Sequence, residues 1–333
     1  MSSRLSTEQQ LSARIKAEAT RLGFFACGVA EAGAVGCETA EAFTQWLRQG
    51  CHAGMDYMAR HADLRLDPRL LLPGARSVVS VALAYAPARQ MPEGEFQLAA
   101  YAYGRDYHDA VKSRLGCLAA YIERQAAEAG CLPAGADGEQ TQATRVCCDT
   151  APVLERHWAC RAGLGWMGRN HQLIIPGAGS QFFLGEVITT VALPPDAPME
   201  SRCGDCRACV AACPTHALTE SGLLDARRCL SYLTIENRGP IPQRVAAAMG
   251  NCIYGCDRCQ AACPHNRNAP TATAPELQPS DELLAMRKAD WRALTPEAYR
   301  RLFKGSAVKR AKYDGLMRNI RAAEADSAEA GQE

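Results

Sequence analysis

The residues best suited to chemistry are cysteines, and nine of the 17 lie between Cys203 and Cys263. The first run, residues 203–214, reads C-x2-C-x2-C-x3-C-P. This is the bacterial spacing for [4Fe–4S] clusters, in which three thiolates hold one cube and the fourth reaches a second cube. Two-residue gaps let a tight loop wrap three corners of a cube, and the x3 step with its proline begins a short helix. The run therefore predicts a ferredoxin-like domain with two clusters.

A second run, residues 256–264, keeps only the last three positions, C-x2-C-x3-C-P, and Ile253 stands where its first cysteine is expected. Two cubes need eight thiolates, so the eighth is either Cys252 or Cys229. A C-x3-C step from Cys252 would strain the loop, and we therefore favour Cys229. Zinc also binds sets of four cysteines, but the two Cys-Pro endings favour iron–sulfur.

The elements that must position these residues alternate between helices and β-rich runs. Apolar periodicity predicts helices over 6–22, 39–49, 107–129 and 152–162, and strands over 24–29, 77–85, 144–148 and 182–191. This alternation predicts a layered α/β or α+β domain. Proline-rich linkers at 194–198 and 267–279 divide the chain into residues 1–195, a ferredoxin-like part at 196–270 and a short helical segment at 271–333.

Composition excludes some classes of protein. The chain has 333 residues, 47% of them apolar, and a net charge of +1, which gives no global signal for nucleic acid or membrane. It lacks an N-terminal apolar signal segment and any apolar run that could span a bilayer. We expect a monomer in the reducing cytoplasm, with its other cysteines as buried thiols.

Three further features have ordinary structural interpretations. Asp149 follows a predicted strand and precedes a predicted helix, a position in which aspartate most often caps the helix. Residues 163–168 spell G-x-G-x-x-G, but a helix precedes them and a strand at 171–175 follows, which is the wrong context for dinucleotide binding. Residues 300–321 hold eight basic residues with only Asp314 as an acid, which suits either a solvated helix face or phosphate contacts.

Several segments together resemble the epoxyqueuosine reductases, the corrinoid iron–sulfur enzymes of queuosine-tRNA synthesis. The resemblance covers nearly the whole chain, to about Asn319. Two features depart from the family: His265 replaces a frequent tryptophan after the second Cys-Pro, and Cys252 is an extra thiol without a role. The segments that carry the resemblance are 55–58 (MDYM), 67–69 (DPR), 72–78 (LPGARSV), 103–108 (YGRDYH), 149–155 (DTAPVLE), 162–170 (AGLGWMGRN), 232–242 (YLTIENRGPIP) and 255–257 (GCD).

The resemblance implies a cobalamin held base-off between the N-terminal and ferredoxin-like domains. It implies one cube on Cys203, Cys206, Cys209 and Cys263, and a second on Cys213, Cys229, Cys256 and Cys259. It also implies cobalamin contacts at the following positions: Arg60, Tyr103, Asp149, Ile174, Gly185, Asn237 and Asp257.

The expected activity is removal of the epoxide oxygen of epoxyqueuosine at the wobble position of tRNA, giving queuosine and water. An unidentified low-potential donor would feed electrons through the clusters, reducing cobalt to Co(I). Beside this resemblance, phosphate contacts become the better interpretation of the basic segment, with candidates Lys304, Lys309, Arg310, Lys312 and Arg318. The alternatives are a reductive dehalogenase-like enzyme acting on a small molecule, a plain electron carrier and a zinc module.

The resemblance also implies that Asp149 is a proton donor. A free aspartate titrates near about 3.9, so the site would have to raise its pKa, and we expect burial among apolar neighbours to do so. The segment Asp106-Tyr107-His108 begins a D-x-H motif that in some corrinoid proteins continues to a glycine, where this chain has Val111. A histidine ligand to cobalt is therefore not expected, and His108 is interpreted as an ordinary residue at a helix end.

Overall fold

The computed structural model describes residues 5–132 and 142–329. Its strands are β1 (Ala26–Glu31), β2 (Ser77–Ala84), β3 (Gln97–Leu98), β4 (Thr144–Cys147), β5 (Trp166–Met167), β6 (Leu173–Ile174), β7 (Phe182–Thr189) and β8 (Cys252–Tyr254). Its helices are α1 (Thr7–Arg21), α2 (Cys37–Arg48), α3 (Ala62–Leu66), α4 (Tyr107–Glu128), α5 (Glu155–Arg161), α6 (Ala208–Ala211), α7 (Leu230–Ile235), α8 (Gln243–Met249), α9 (Arg258–Ala261), α10 (Asp281–Ala285), α11 (Lys288–Arg292), α12 (Pro296–Leu302) and α13 (Lys312–Glu329). Short 3₁₀ turns join several of them.

A four-stranded antiparallel sheet in the order β1-β2-β7-β4 forms the centre of the N-terminal part. Every residue of β2 is buried. Its alternate side chains pack on two faces, one covered by α1 and α4 and the other by α5 and the segment that follows. This explains the largely apolar run at 77–84, in which only Ser77 and Ser80 are polar, because a strand covered on both faces buries its side chains on both sides. The layered α/β prediction is confirmed.

A second core joins segments that are far apart in sequence. Residues 91–103 pack with residues from Leu230 to Ala323, and β3 pairs in parallel with β8. All three predicted segments contribute to the molecule's cores, so packing runs across the predicted boundaries at 195 and 270. No helix in the described ranges is both long enough and apolar enough to cross a membrane.

Local signals predicted helix starts with mixed success. Ser6 caps α1 in a capping box with Gln9, as its sequence indicates. Helix α5 begins at Glu155 rather than at Pro152, and Leu154 at its N-cap makes no side-chain cap bond. The prediction of Pro152 as the first helical residue is therefore wrong, and residues 150–154 form an irregular turn instead.

Candidate active site and iron–sulfur module

Four cysteines from the two runs line one cavity. Cys203, Cys206 and Cys209 come from the first run and Cys263 from the second, and the cavity is closed by the hairpin β5–β6 and the residues after Cys263. The x3 step works as expected, because the short helices α6 and α9 carry the last cysteine of each run away from its first two. The spacing of the runs thus brings together the first predicted ligand set.

The second predicted set also comes together. One cluster contains Cys213, Cys229 and Cys259 together with Cys209. Cys256 lies close enough to Cys229 for a charge on one sulfur to affect the other. The backbone N–H of Ala217 donates to the sulfur of Cys213 at 3.2 Å. The extra thiol, Cys252, hydrogen-bonds the sulfur of Cys256.

Asp149 is not a helix cap. Its backbone adopts a left-handed conformation, φ +54°, which aspartate tolerates better than most residues. Its Oδ2 accepts hydrogen bonds from Tyr107 Oη and from His108 Nε2, each at 2.8 Å. The Asp149 N–H donates to Glu155, which anchors the turn to the start of α5. The cap interpretation is therefore wrong, and the carboxylate belongs to a cluster built on the N-terminus of α4.

His108 is the centre of that cluster, and its interpretation as an ordinary helix-end residue is wrong. Its Nδ1 bonds Asp106 Oδ1 at 2.6 Å, while its Nε2 bonds Asp149. The hydrogen bond to Asp106 and then the one to Asp149 raise the pKa of His108 to about 9. At neutral pH the imidazole is consequently a cation that donates from both nitrogens.

The expectation that burial raises the pKa of Asp149 is also wrong. Partial burial does act to raise it, but the hydrogen bonds from His108 and Tyr107 act the other way, and the net pKa lies below the ordinary value. The Asp149 side chain is 54% exposed, against 24% for His108. The proton of this cluster therefore rests on His108, and the ionised carboxylate is the part that faces open space.

Charged and aromatic groups from elsewhere in the chain surround Asp149. Arg310 forms a two-pronged ion pair with Glu236, both contacts at 2.9 Å, and its guanidinium lies 6.0 Å above the ring of Tyr57. The charges of Asp149, Glu236 and Arg310 all act on Tyr57, whose ring is 40% exposed. Segments around residues 57, 149, 236 and 310 thus lie near one another.

The other predicted cobalamin contacts lie on several different elements. Asp257 and Tyr103 lie beside the second core, where Asp257 accepts from the Ala100 N–H at 2.6 Å. Gly185 leaves room for α4, since a Cβ there would come within 2.6 Å of Leu115. The remaining three lie apart from these: Ile174 lines the first cysteine cavity, Asn237 is in the loop after α7, and Arg60 is exposed.

Some side chains of the basic segment bind other parts of the protein, and others are exposed. Arg318 donates to the carbonyl oxygens of Leu233, Asn237 and Gly239, so it fastens the loop after α7 to α13. Burial lowers its pKa. Of the other candidates, Arg310 is paired with Glu236 as described above, whereas three lysines are exposed: Lys304, Lys309 and Lys312.

Sequence reasoning missed Tyr107, Glu155 and Glu236 as parts of this site. All three lie inside segments that the family resemblance used, namely 103–108, 149–155 and 232–242. The polar residues at 106–108 and 149–155 indicated a site, but local helix rules explained them as residues at helix ends. The contact between them joins residues 41 positions apart, and local rules cannot reach that far.

Two family models match this chain, and it is similar to several epoxyqueuosine reductases. A family model described as 4Fe-4S double cluster binding domain matches residues 202–266, and one described as Epoxyqueuosine reductase QueG, DUF1730 matches residues 65–150. The first of these favours iron–sulfur over the zinc alternative. The chain is 39% identical over 316 residues to the epoxyqueuosine reductase of Cellulophaga algicola, covering 95% of this chain and 99% of that one. It is 38% identical over 317 residues to that of Escherichia coli, covering 93% and 80%.

Solved structures agree. A crystal structure of epoxyqueuosine reductase with an epoxyqueuosine-modified tRNA-Tyr stem loop matches with a TM-score of 0.84 and 29% identity, covering 97% of this chain and 83% of that one. The enzyme from Bacillus subtilis, with its catalytic aspartate loop swung out of the active site, matches with a TM-score of 0.83, 28% identity and the same coverage. Since relatives nearly 40% identical extend over almost its full length, the chain belongs to the epoxyqueuosine reductase family.

Proposed function

We propose that this protein reduces epoxyqueuosine in tRNA to queuosine. The observation that carries the proposal is the proton-holding cluster of His108 and Asp149, whose exposed carboxylate lies near Tyr57 and Arg310. We place the binding cleft at this carboxylate. The reaction converts an epoxide to an alkene and water, and it consumes two electrons and two protons. A site for it needs an electron supply and an acid, and this chain has candidates for both.

The electrons enter through two [4Fe–4S] clusters. The proposed ligands are the two cysteine sets described above, with Cys229 completing the second cube. Cys229 packs against Cys213 and Cys259, while Cys252 lies near Cys256 and Arg258. The donor is a low-potential carrier of the cytoplasm, a reducing compartment that suits a chain whose 17 cysteines are all free.

A base-off cobalamin would bind in this cleft and would be held there by Tyr57 and Asp149. Bound there and reduced to cobalt(I), cobalamin would supply the nucleophile that opens the epoxide. Both nitrogens of His108 already bond carboxylates, so this histidine has no lone pair to offer a metal. The exposed ring of Tyr57 and the half-exposed carboxylate of Asp149 remain available to a large ligand.

Asp149 delivers the proton that His108 stores. In the open cleft water stabilises the carboxylate, and the proton stays on His108 Nε2. Once cofactor and nucleoside cover the cleft, loss of water raises the pKa of Asp149, because desolvation disfavours its charged form. The proton can then move along the 2.8 Å hydrogen bond to Asp149 Oδ2 and onward to the departing oxygen. Asp106 keeps His108 oriented throughout.

The exposed lysines of the basic segment bind phosphates of the tRNA. Lys309 and Lys312 flank Arg310, which lies over Tyr57 at the edge of the cleft. A nucleoside at Asp149 would therefore place its neighbouring phosphates near these lysines. Arg318 is excluded from this role because its guanidinium holds backbone carbonyls.

Anaerobic turnover tests the proposal. The reconstituted protein is incubated with cobalamin, a low-potential reductant and tRNA carrying epoxyqueuosine, and nucleosides are identified by mass spectrometry after digestion. We expect queuosine to form only when cobalamin is present. Absence of queuosine from protein with both clusters and bound cobalamin would refute the assignment. A halogenated phenol serves as the substrate for the alternative activity.

A further inference from the structure

The glycine-rich segment, residues 163–168, lies next to Arg169 and Asn170, which line the first cysteine cavity. It leads from α5 into the hairpin β5–β6, in which Trp166 pairs with Ile174. A Cβ at Gly165 would lie 2.0 Å from the Ile174 carbonyl oxygen, and one at Gly168 would lie 2.6 Å from Asn170 Oδ1. These glycines therefore allow the hairpin to fold tightly, which positions Trp166 and Asn170 beside the cysteines.

Three buried N–H groups in this hairpin lack a hydrogen-bond partner among the described residues. They are Trp166 Nε1, Arg169 Nε and Asn170 Nδ2. Trp166 and Asn170 are only 2% and 3% exposed. A buried donor left unpaired costs on the order of 1–3 kcal/mol, so three together in one hairpin indicate an acceptor that the polypeptide does not provide.

All three donors are next to the predicted cluster ligands. Arg169 and Asn170 line the cavity together with Cys203, Cys206, Cys209 and Cys263, and Trp166 packs against Cys263 and Ile174. The orientation of the Asn170 amide is determined, because its Oδ1 accepts from the Gln172 N–H at 3.2 Å and its Nδ2 must face the other way. Arg169 Nη2 donates to the Gly204 carbonyl at 2.7 Å, which holds the loop between the first two cysteines.

We propose that the N–H groups of Trp166, Arg169 and Asn170 donate to the sulfurs of the cluster held by Cys203, Cys206, Cys209 and Cys263, and raise the reduction potential of that cluster. The inference rests on the ligand set proposed above. When a cube accepts one electron its sulfurs become more negative, so N–H donors and the guanidinium charge bind the reduced form more tightly. The cube beneath the hairpin thus accepts electrons more readily than it would without these donors.

Potentiometric titration of the reconstituted protein, followed by electron paramagnetic resonance, tests this directly. Trp166→Phe removes one N–H and keeps an aromatic ring, and Asn170→Asp keeps the acceptor for Gln172 while removing the amide donor. We expect each to shift the reduction equilibrium of one cluster about tenfold toward the oxidised form, or about 59 mV for one electron. The second cluster should keep its potential.

Trp158→Phe is the matched control. Trp158 is also 2% exposed and its Nε1 is also unpaired among the described residues, but it packs on the sheet, away from the cysteine cavity. It should leave both potentials unchanged. Arg169→Lys keeps the charge and loses Nε–H, so it separates hydrogen bonding from charge.

Iron and sulfide analysis keeps this inference distinct from the ligand assignment. If Cys203→Ala loses a cube and the hairpin variants keep both, the ligand set is supported. The measured reduction potentials then test the proposed hydrogen bonds. If Trp166→Phe loses iron, the reduction potentials of Asn170→Asp and Arg169→Lys are compared with the wild type instead. Unchanged potentials in intact hairpin variants, or an equal shift in Trp158→Phe, would overturn the proposal.

Discussion

The proton-holding role of His108 leads to a specific pH dependence. The pKa of His108 is about 9, against an ordinary value of 6.5. At 1.36 kcal/mol for each pKa unit, this difference of about 2.5 corresponds to about 3 kcal/mol. Because Asp149 is half exposed and water screens its charge, we take about 1–2 kcal/mol as the stabilisation. The protonated form carries this stabilisation, so it is fully present below pH 6.5 and is lost as the pH rises through about 9.

The perturbation is His108→Gln, measured as turnover from pH 6 to pH 10 with excess reductant and cobalamin. The wild-type rate should fall above about pH 9, as His108 loses its proton. The variant should turn over roughly 10²–10⁴-fold more slowly, the usual worth of a positioned acid, and its alkaline decline should disappear. Its thermal stability should fall below that of the wild type at pH 6 and match it near pH 10.

Two further variants sharpen the test. Asp149→Asn keeps the shape and the acceptor for Tyr107 but removes a charge that stabilises the His108 cation, so the alkaline decline should move to lower pH and most turnover should be lost. His157→Gln is the control, because His157 lies on α5 outside the cluster and burial lowers its pKa to about 4. An undiminished rate in His108→Gln, or an alkaline decline that survives in it, would refute the reasoning.

Three more outcomes follow from the site. Cys229→Ala should lose the iron and sulfide of one cube, whereas Cys252→Ala should retain both, and iron analysis that finds the reverse contradicts the ligand set. Lys309→Glu with Lys312→Glu should weaken tRNA binding and reduce the slope of log affinity against log salt by about 1 for each lost contact; unchanged binding at low salt would return these lysines to a solvated face. Electron paramagnetic resonance of the cobalt(II) form should lack nitrogen splitting from His108, and such splitting would exclude the proposed site.

The sequence predicted best what neighbouring residues decide together. The buried strand at 77–84 and the cap at Ser6 were readable because each depends on a short run of residues. The two cysteine sets could be predicted because a rigid cluster requires a fixed spacing between the cysteines of the loops that bind it. Whether Cys229 or Cys252 completes the second set depends on packing between α6, α7 and α9, and the local spacing could only favour one of them.

The sequence did not predict the roles of charged side chains whose hydrogen-bond partners are far away along the chain. Arg318 resembled a phosphate ligand because its neighbours are basic, but its acceptors are backbone carbonyls about 80 residues earlier in the chain. Asp149 resembled a cap because a helix follows, but α5 begins six residues later and the carboxylate turns toward α4. Burial alone would have made Asp149 the neutral acid, whereas two donors from α4 leave it ionised and place the proton on His108. The protonation state of the proposed acid therefore depends on the contact between two loops and not on either loop's sequence, which is why Asp149 could be proposed from the sequence while its protonation state could not be predicted.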